Sequence, residues 1–297
     1  MVGRSGQLRA MQLPAALNDL LKEVSRSFYL SLRFLPAEVR GYVSVAYLLA
    51  RAADSIADHE SVGSVGERRD LLTAWPMKRE EDFLQRVAVL RVDHAGEQRL
   101  LQRLGEVFAA LEQGAPEGRG LIQKVLGHIL EGQQQDLVKF PGELASAAEL
   151  EQYTFLVAGC VGEFWSDILA WRVPGWADAS HEEMRSLGRT YGQGLQLVNI
   201  LRDTEEDAAR GRCYLPEPGT MEERKAHWSA VARQWLQAGE RYVAHLQGWR
   251  LRLTADLPWQ LGLATLDKLE ASEGRIKVSR SQVRQILFRS AWQQWWR

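Results

Sequence analysis

Two short acidic words, Asp54-Ser-Ile-Ala-Asp58 and Asp203-Thr-Glu-Glu-Asp207, carry the side chains in this sequence best suited to holding hard cations. In each word the outer aspartates are four residues apart, so on an α-helix they share one face, one turn apart. The run that leads into the first, Val45 to Ala53, is almost entirely apolar. Carboxylates projecting from such a helix are costly to bury unless they are paired or bound to a cation. Two facing pairs could hold Mg²⁺, and Mg²⁺ in turn holds phosphate oxygens. The spacing points to diphosphate chemistry.

The neighbours of each word sharpen that reading. Tyr47, Arg51, Asp54 and Asp58 stand at i, i+4, i+7 and i+11, within one narrow stripe. A guanidinium there would pair with phosphate oxygens while the carboxylates hold the ion. The plain alternative is a solvated polar face or a local Arg–Asp pair. In the second word Gln196, Asn199, Asp203 and Asp207 repeat the stripe, with Arg202 beside it. Asn199, Asp203 and Asp207 form an i, i+4, i+8 ladder of oxygen donors, the set that hard cations prefer. An exposed Arg202–Glu206 pair at i,i+4 is the plain alternative here. It does not explain why Gln196 and Asn199 interrupt Leu195, Leu197, Val198, Ile200 and Leu201.

The elements that must position these residues are helical. Apolar spacing follows the helical period nearly throughout, and alternating strands bounded by turns are absent. The spacing predicts helices at roughly 36–58, 95–112, 120–138, 146–172, 181–209, 224–253, 258–271 and 279–296. Pro36 suits a first helical turn, and Ser180 followed by Glu183 suits a capping box. Several helices exceed twenty residues without heptads, which predicts an all-α bundle enclosing a central cavity rather than a coiled coil. The 297 residues, 45% of them hydrophobic, read as one domain, with residues 1–15 poorly ordered. A net charge of −1 argues against a nucleic-acid partner. Cys160 and Cys213 suggest neither a disulfide framework nor a zinc site. With no signal-like or membrane-spanning run, the sequence reads as a soluble, cytoplasmic protein.

The chain resembles the squalene/phytoene synthase family, and within it most closely the bacterial squalene synthases. The resemblance rests on five ordered blocks: Ser25–Leu30, Ala46–Asp58, Tyr153–Gly162, Leu195–Asp207 and Gly211–Pro216. It implies the all-α isoprenoid synthase fold and head-to-head joining of two prenyl diphosphates. For the squalene branch it implies two farnesyl diphosphates giving presqualene diphosphate, then squalene with hydride from NADPH. By motif match Asp54, Asp58, Asn199, Asp203 and Asp207 would be Mg²⁺ ligands, directly or through water. Ser25, Arg26, Ser27, Arg51, Gln196, Arg202 and Arg212 would hold diphosphate. Tyr47 and Tyr153 match tyrosines at the reaction centre, beside the catalytic arginines Arg51 and Arg202. Tyr153 and the departing diphosphate are alternative bases for ring closure, and a core role for Tyr153 stands equally. Phe28 matches an aromatic that could face a cationic intermediate or simply pack.

Other stretches leave two readings each. The small residues of Val157–Gly162 allow close helix contact or leave room for a prenyl tail. Lys277 and Arg280 match a region that contacts NADPH phosphates, against a solvated loop or cap. No Gly-rich fingerprint follows a strand, so any NADPH site is not a Rossmann one. Trp292, Trp295 and Trp296 with Arg289 and Arg297 could seat the C-terminus peripherally on a membrane, or pack on the bundle. A non-reductive relative making phytoene, dehydrosqualene, presqualene diphosphate or hydroxysqualene is the competing function. A silent assembly subunit is a third, opposed by intact carboxylates in both words.

Overall fold

The computed structural model describes residues 10–25, 28–144 and 146–271, and helices fill most of that length. In chain order they are α1 (Ala15–Ser25), α2 (Phe28–Phe34), α3 (Ala37–Asp58), α4 (Val65–Thr73), α5 (Glu81–Ala88), α6 (Ala95–Gln102) and α7 (Leu104–Glu112). Then follow α8 (Pro116–Lys139), α9 (Ala147–Thr154), α10 (Cys160–Arg172), α11 (His181–Ala209), α12 (Met221–His245) and α13 (Trp249–Ala271). Side chains of Ser64, Ser146, Ser180 and Thr220 accept the third backbone N–H of α4, α9, α11 and α12. These caps satisfy donors that a helix start leaves open. At the far end of α11, Gly211 adopts φ +72°, the left-handed conformation that lets a chain leave a helix sharply.

Long α3 and α8 lie side by side, with α4 and α7 against them, while α11 packs between α10 and α12, and α13 returns along α12 towards α2. One apolar core runs through α1–α8 and α10; a second gathers α11, α12 and α13 around Leu197, Leu201, Leu236 and Leu266. Contact between α10 and α11 is backbone-close. A Cβ on Gly162 would stand 1.9 Å from the Gly188 carbonyl oxygen, and one on Gly192 would stand 2.4 Å from that of Ala158. Gly159 and Gly162 therefore serve helix contact, whereas Val157 lines a cavity. Overlapping the stretch Val157–Gly162, Phe155–Gly159 forms a π-helical turn that joins α9 to α10.

The predicted helices at 36–58 and 181–209 match α3 and α11 to within a residue. Pro36 is the residue before α3 rather than in its first turn, since its ψ of 143° is extended. Only half of the capping box at Ser180 forms, because the Glu183 carboxylate turns to Arg241, 3.4 Å away. The span 95–112 is two helices, broken at Arg103 (φ −110°, ψ 14°). Sequence reading placed a break before Pro258, whereas the break falls at Leu246–Gly248 and Pro258 lies inside α13. Gly248 at φ +86° makes that turn. Burial of Leu251, Leu253, Leu257 and Leu266 outweighs the bond a mid-helix proline forfeits, about 3 kcal/mol. The sequence spacing predicts no helix at α1, α2, α4 or α5; these helices are short, and their apolar stripes are two turns or so. Met11 is buried ahead of α1, its carbonyl against Gly41.

One small sheet matters for the site. Gly142–Glu143, just past α8, pairs in parallel with Arg212–Cys213, just past α11. The Gly142 N–H donates to Gly211 (3.0 Å) and the Leu144 N–H to Cys213 (3.0 Å). Two residues are too few for the alternation that reveals a strand in sequence. This pairing ties the end of α8 to the end of α11 and fixes where Arg212 stands.

Candidate functional site

The C-terminal half of α3, the C-terminal half of α8, Tyr153 and the start of the Arg212 strand enclose a cavity of about 230 Å³. Asp54, Asp58, Gln196, Tyr153 and Arg212 all line it, so both acidic helices reach the same space. Its other polar walls come from α8, through Gln133 and Asp136. A second, adjoining cavity of about 180 Å³ shares Arg212 and is lined by Asp207.

Arg212 is the meeting point. Its guanidinium lies 3.2 Å from the Asp136 carboxylate and 3.6 Å from that of Asp58, with side-chain exposures of 17%, 11% and 55%. Burial opposes the Arg212 charge, but Asp136, Tyr214 and Asp58 outweigh it and hold the group more firmly protonated than usual. The Tyr214 hydroxyl donates to Asp136 at 2.6 Å. The Tyr153 ring stacks on Tyr214, centroids 5.0 Å apart and planes 24° apart. Burial, then Tyr214 and Asp136, push the Tyr153 phenol well above its ordinary value. Burial likewise raises the Asp136 carboxyl, opposed by Arg212.

On α3, burial and then the Asp58 charge push Asp54 up to about 7. Gln133 donates an amide N–H to this carboxylate. Arg51, one turn earlier, makes a short ion pair with buried Glu97 on α6, and its other terminal nitrogen is 4.0 Å from Asp54. Ser55 donates to Glu97 at 3.0 Å, and His59 meets the same oxygen at 3.0 Å. Burial alone would raise the Glu97 carboxyl; its bonds from Arg51, His59 and Ser55 outweigh that and hold it below the usual range. On α11, Arg202 grips both oxygens of Asp203, at 2.8 and 2.5 Å, rather than reaching Glu206. Glu206 pairs instead with Arg210 at 3.3 Å. Burial and then Asp203 push Asp207 up to about 6. The Asn199 amide approaches Gln196 at 3.4 Å.

Among the described residues, no three His, Cys, Asp or Glu side chains converge on one point that could hold an ion. The donor chemistry nevertheless fits a hard cation. Asp54 and Asp207 each resist ionisation, first because burial disfavours the charge and then because a like charge stands beside them, and an Mg²⁺ ion offsets both penalties. The buried Gln133 Oε1 also lacks any hydrogen-bond donor.

Other candidates from sequence fall elsewhere. The Tyr47 hydroxyl donates to the Val24 carbonyl at 3.1 Å, at the end of α1. Ser25 is buried and donates within its own helix, to Leu21. Arg26 and Ser27, the side chain of Phe28, Lys277, Arg280 and the tryptophan-rich C-terminus lie outside the described residues. Sequence reasoning missed Gln133, Asp136 and Glu97. A signal existed for the first two: the buried stripe Ile122, Leu126, Ile129 continues at helical spacing into Gln133 and Asp136. Glu97 gave none, since the site residues it holds, Arg51, Ser55 and His59, stand some forty residues away in sequence.

The profile of squalene/phytoene synthases matches residues 21–289. This chain belongs to the squalene/phytoene synthase family. It is 30% identical over 293 residues to the phytoene synthase of Thermus thermophilus, covering 93% of this chain and 85% of that one. It is 35% identical over 196 residues to the presqualene diphosphate synthase of Zymomonas mobilis, covering 65% of this chain and 56% of that one. The chain thus spans little more than half the length of that second relative. A solved complex of TcSQS superposes with a TM-score of 0.74 at 21% identity, over 93% of this chain and 85% of that one. That likeness shows the fold, the all-α isoprenoid synthase fold. Family and relatives together indicate a prenyltransferase-type enzyme. Among the described residues no helix is long and apolar enough to cross a membrane.

Proposed function

We propose that this chain condenses two prenyl diphosphates head to head in an Mg²⁺-dependent reaction, with farnesyl diphosphate as substrate. The observation that carries this is Arg212, set between the two acidic helices and facing Asp58 and Asp136 in one cavity. A guanidinium among carboxylates suits a diphosphate bridged by cations, because both partners of the phosphate oxygens are present. Asp54, Asp58, Asn199, Asp203 and Asp207 would hold Mg²⁺, and Arg51, Arg202, Gln196 and Arg212 the diphosphate. When bound, the ions would neutralise the leaving diphosphate.

The chain's own residues do the rest. Glu97 seats Arg51 one turn from Asp54. Leaving-group departure generates an allylic cation, which survives only where water is excluded. Tyr153 walls the cavity, and Tyr214, stacked on it, lines the adjoining one, so aromatic faces that tolerate positive charge stand at both. Ring closure to presqualene diphosphate releases a proton. The raised Tyr153 pKa supports the departed diphosphate as acceptor. Reduction by NADPH to squalene is the squalene-branch continuation, resting on the resemblance around Lys277 and Arg280.

A second reading is a phytoene-type condensation of geranylgeranyl diphosphate, favoured by the likeness to the Thermus thermophilus phytoene synthase over most of both chains. Purified protein incubated with Mg²⁺ and either farnesyl or geranylgeranyl diphosphate, with and without NADPH, separates them by product analysis. Squalene formed only with NADPH supports the squalene branch; presqualene diphosphate with or without NADPH supports condensation alone. A C40 product with no turnover of farnesyl diphosphate sinks the farnesyl reading. Asp54→Ala and Asp203→Ala should each abolish turnover while the helical circular dichroism stays unchanged. Activity retained in either would refute the cation assignment.

A further inference from the structure

On α8, the stripe that faces α3 is apolar at Ile122, Leu126 and Ile129 and then turns polar at Gln133. Gln133 is only 8% exposed, yet it lines the cavity beside Asp54 and Asp58. Its two amide ends are in opposite circumstances. The N–H donates to Asp54, while Oε1 is buried with no donor in reach. Turning the amide over does not help, since Oε1 would then oppose a carboxylate oxygen. Were the position only packing, an apolar residue of the same volume would serve without leaving a buried acceptor orphaned.

Gln133 lines a cavity that holds two aspartates, and its carbonyl oxygen, buried and free of donors, has the chemistry of a cation ligand. Hard divalent cations accept amide oxygens alongside carboxylates, and Mg²⁺ calls for six oxygens in all. We infer that Gln133 is a member of the cation site on the α3 wall: its N–H steadies Asp54, and its Oε1 donates to the ion directly or through a bound water. This rests on the reading of the site as an Mg²⁺–diphosphate site and adds a third helix, α8, to the two acidic ones. Asp54 is positioned from α8, so the geometry of the first acidic word depends on a residue 79 positions away in sequence.

The test uses the full chain, Mg²⁺ and inorganic pyrophosphate, with calorimetric titration and thermal midpoints as readouts in place of turnover. The wild-type protein should bind Mg²⁺ in the presence of pyrophosphate and gain thermal stability from it. Gln133→Met keeps the volume and removes both polar ends. It should weaken Mg²⁺ binding at least tenfold, the scale of lost supporting contacts at metal sites. In chelator its midpoint should equal or exceed that of the wild type, because the orphan acceptor is gone. Gln133→Glu, which keeps an oxygen but loses the N–H, should bind Mg²⁺ at least as tightly as the wild type. Wild-type affinity in Gln133→Met overturns the inference and leaves the cation site standing. Should that variant not fold, a tenfold loss in Gln133→Glu overturns it equally. Failure of the wild type itself to bind Mg²⁺ with pyrophosphate would overturn the cation reading of the site, and this inference with it.

Discussion

Replacing Arg212 by methionine removes one charge that three elements share, and the structure says how the cost divides. Against Asp136 the pair is short, 3.2 Å, and both side chains are largely buried. Breaking such a pair leaves a carboxylate buried without its counter-ion, a loss of about 3 kcal/mol or more. Against Asp58 the separation is 3.6 Å and the carboxylate is 55% exposed, so water and salt screen it to about 1 kcal/mol at most. Urea unfolding of Arg212→Met, Asp136→Asn, Asp58→Asn and the two double variants gives the coupling energies directly. The Arg212–Asp136 cycle should yield about 2 kcal/mol and the Arg212–Asp58 cycle less than about 1. The Tyr214 hydroxyl still finds an acceptor in Asp136→Asn, so its bond does not confuse the cycle. Equal couplings to the two aspartates, or a coupling to Asp136 under about 0.5 kcal/mol, would refute the view that α8 rather than α3 anchors this guanidinium.

Two further outcomes follow from other parts of the molecule. Glu97 has its carboxyl held below its unfolded value, so its contribution to stability is complete above about pH 4.3 and is lost as pH falls through the folded value. Glu97→Gln should therefore lower the urea midpoint at pH 7, by about 3 kcal/mol of stability, and flatten the acid side of the stability–pH curve; an acid limb as steep as the wild type's would contradict the seat proposed for Arg51. In α10, Gly162→Ala sets a Cβ 1.9 Å from the Gly188 carbonyl and should cost about 3 kcal/mol, while Gly127→Ala in α8 meets nothing within 4 Å and should gain about 0.5 kcal/mol; thermal melts that rank the two variants the other way would refute the close contact of α10 with α11.

Much of this was legible in the sequence because helices advertise themselves by period. Both acidic words sit where the spacing placed them, near the C-terminal ends of α3 and α11. Gln196 with Asn199 betrayed the second word because two amides break an apolar run. Harder to read from sequence was the third wall. Gln133 and Asp136 lie in a polar run, Gln133-Gln-Gln-Asp136, that reads as a solvated helix end unless one asks which members continue the buried stripe. Arg51 offered its local aspartate as the evident partner, yet Glu97 takes it, because a glutamate on α6 comes closer than one turn of α3 allows. Pro258 misled for the opposite reason: a strong local rule lost to the burial of its neighbours.

The π-helical turn at Phe155–Gly159 has a further consequence. Each residue of an α-helix turns the chain by about 100°, and a π turn accommodates one residue more than the regular count. Tyr153 before it faces the cavity, and Gly162 after it meets α11. The extra residue thus acts as a phase shift between two stretches of what is otherwise one rod, setting the cavity side and the packing side independently. Substitutions in this stretch trade one side chain for another, but loss of a single residue would restore regular winding and rotate Tyr153 against the α10–α11 seam. Length, here, is a site determinant in its own right, invisible to any reading that compares residue types alone.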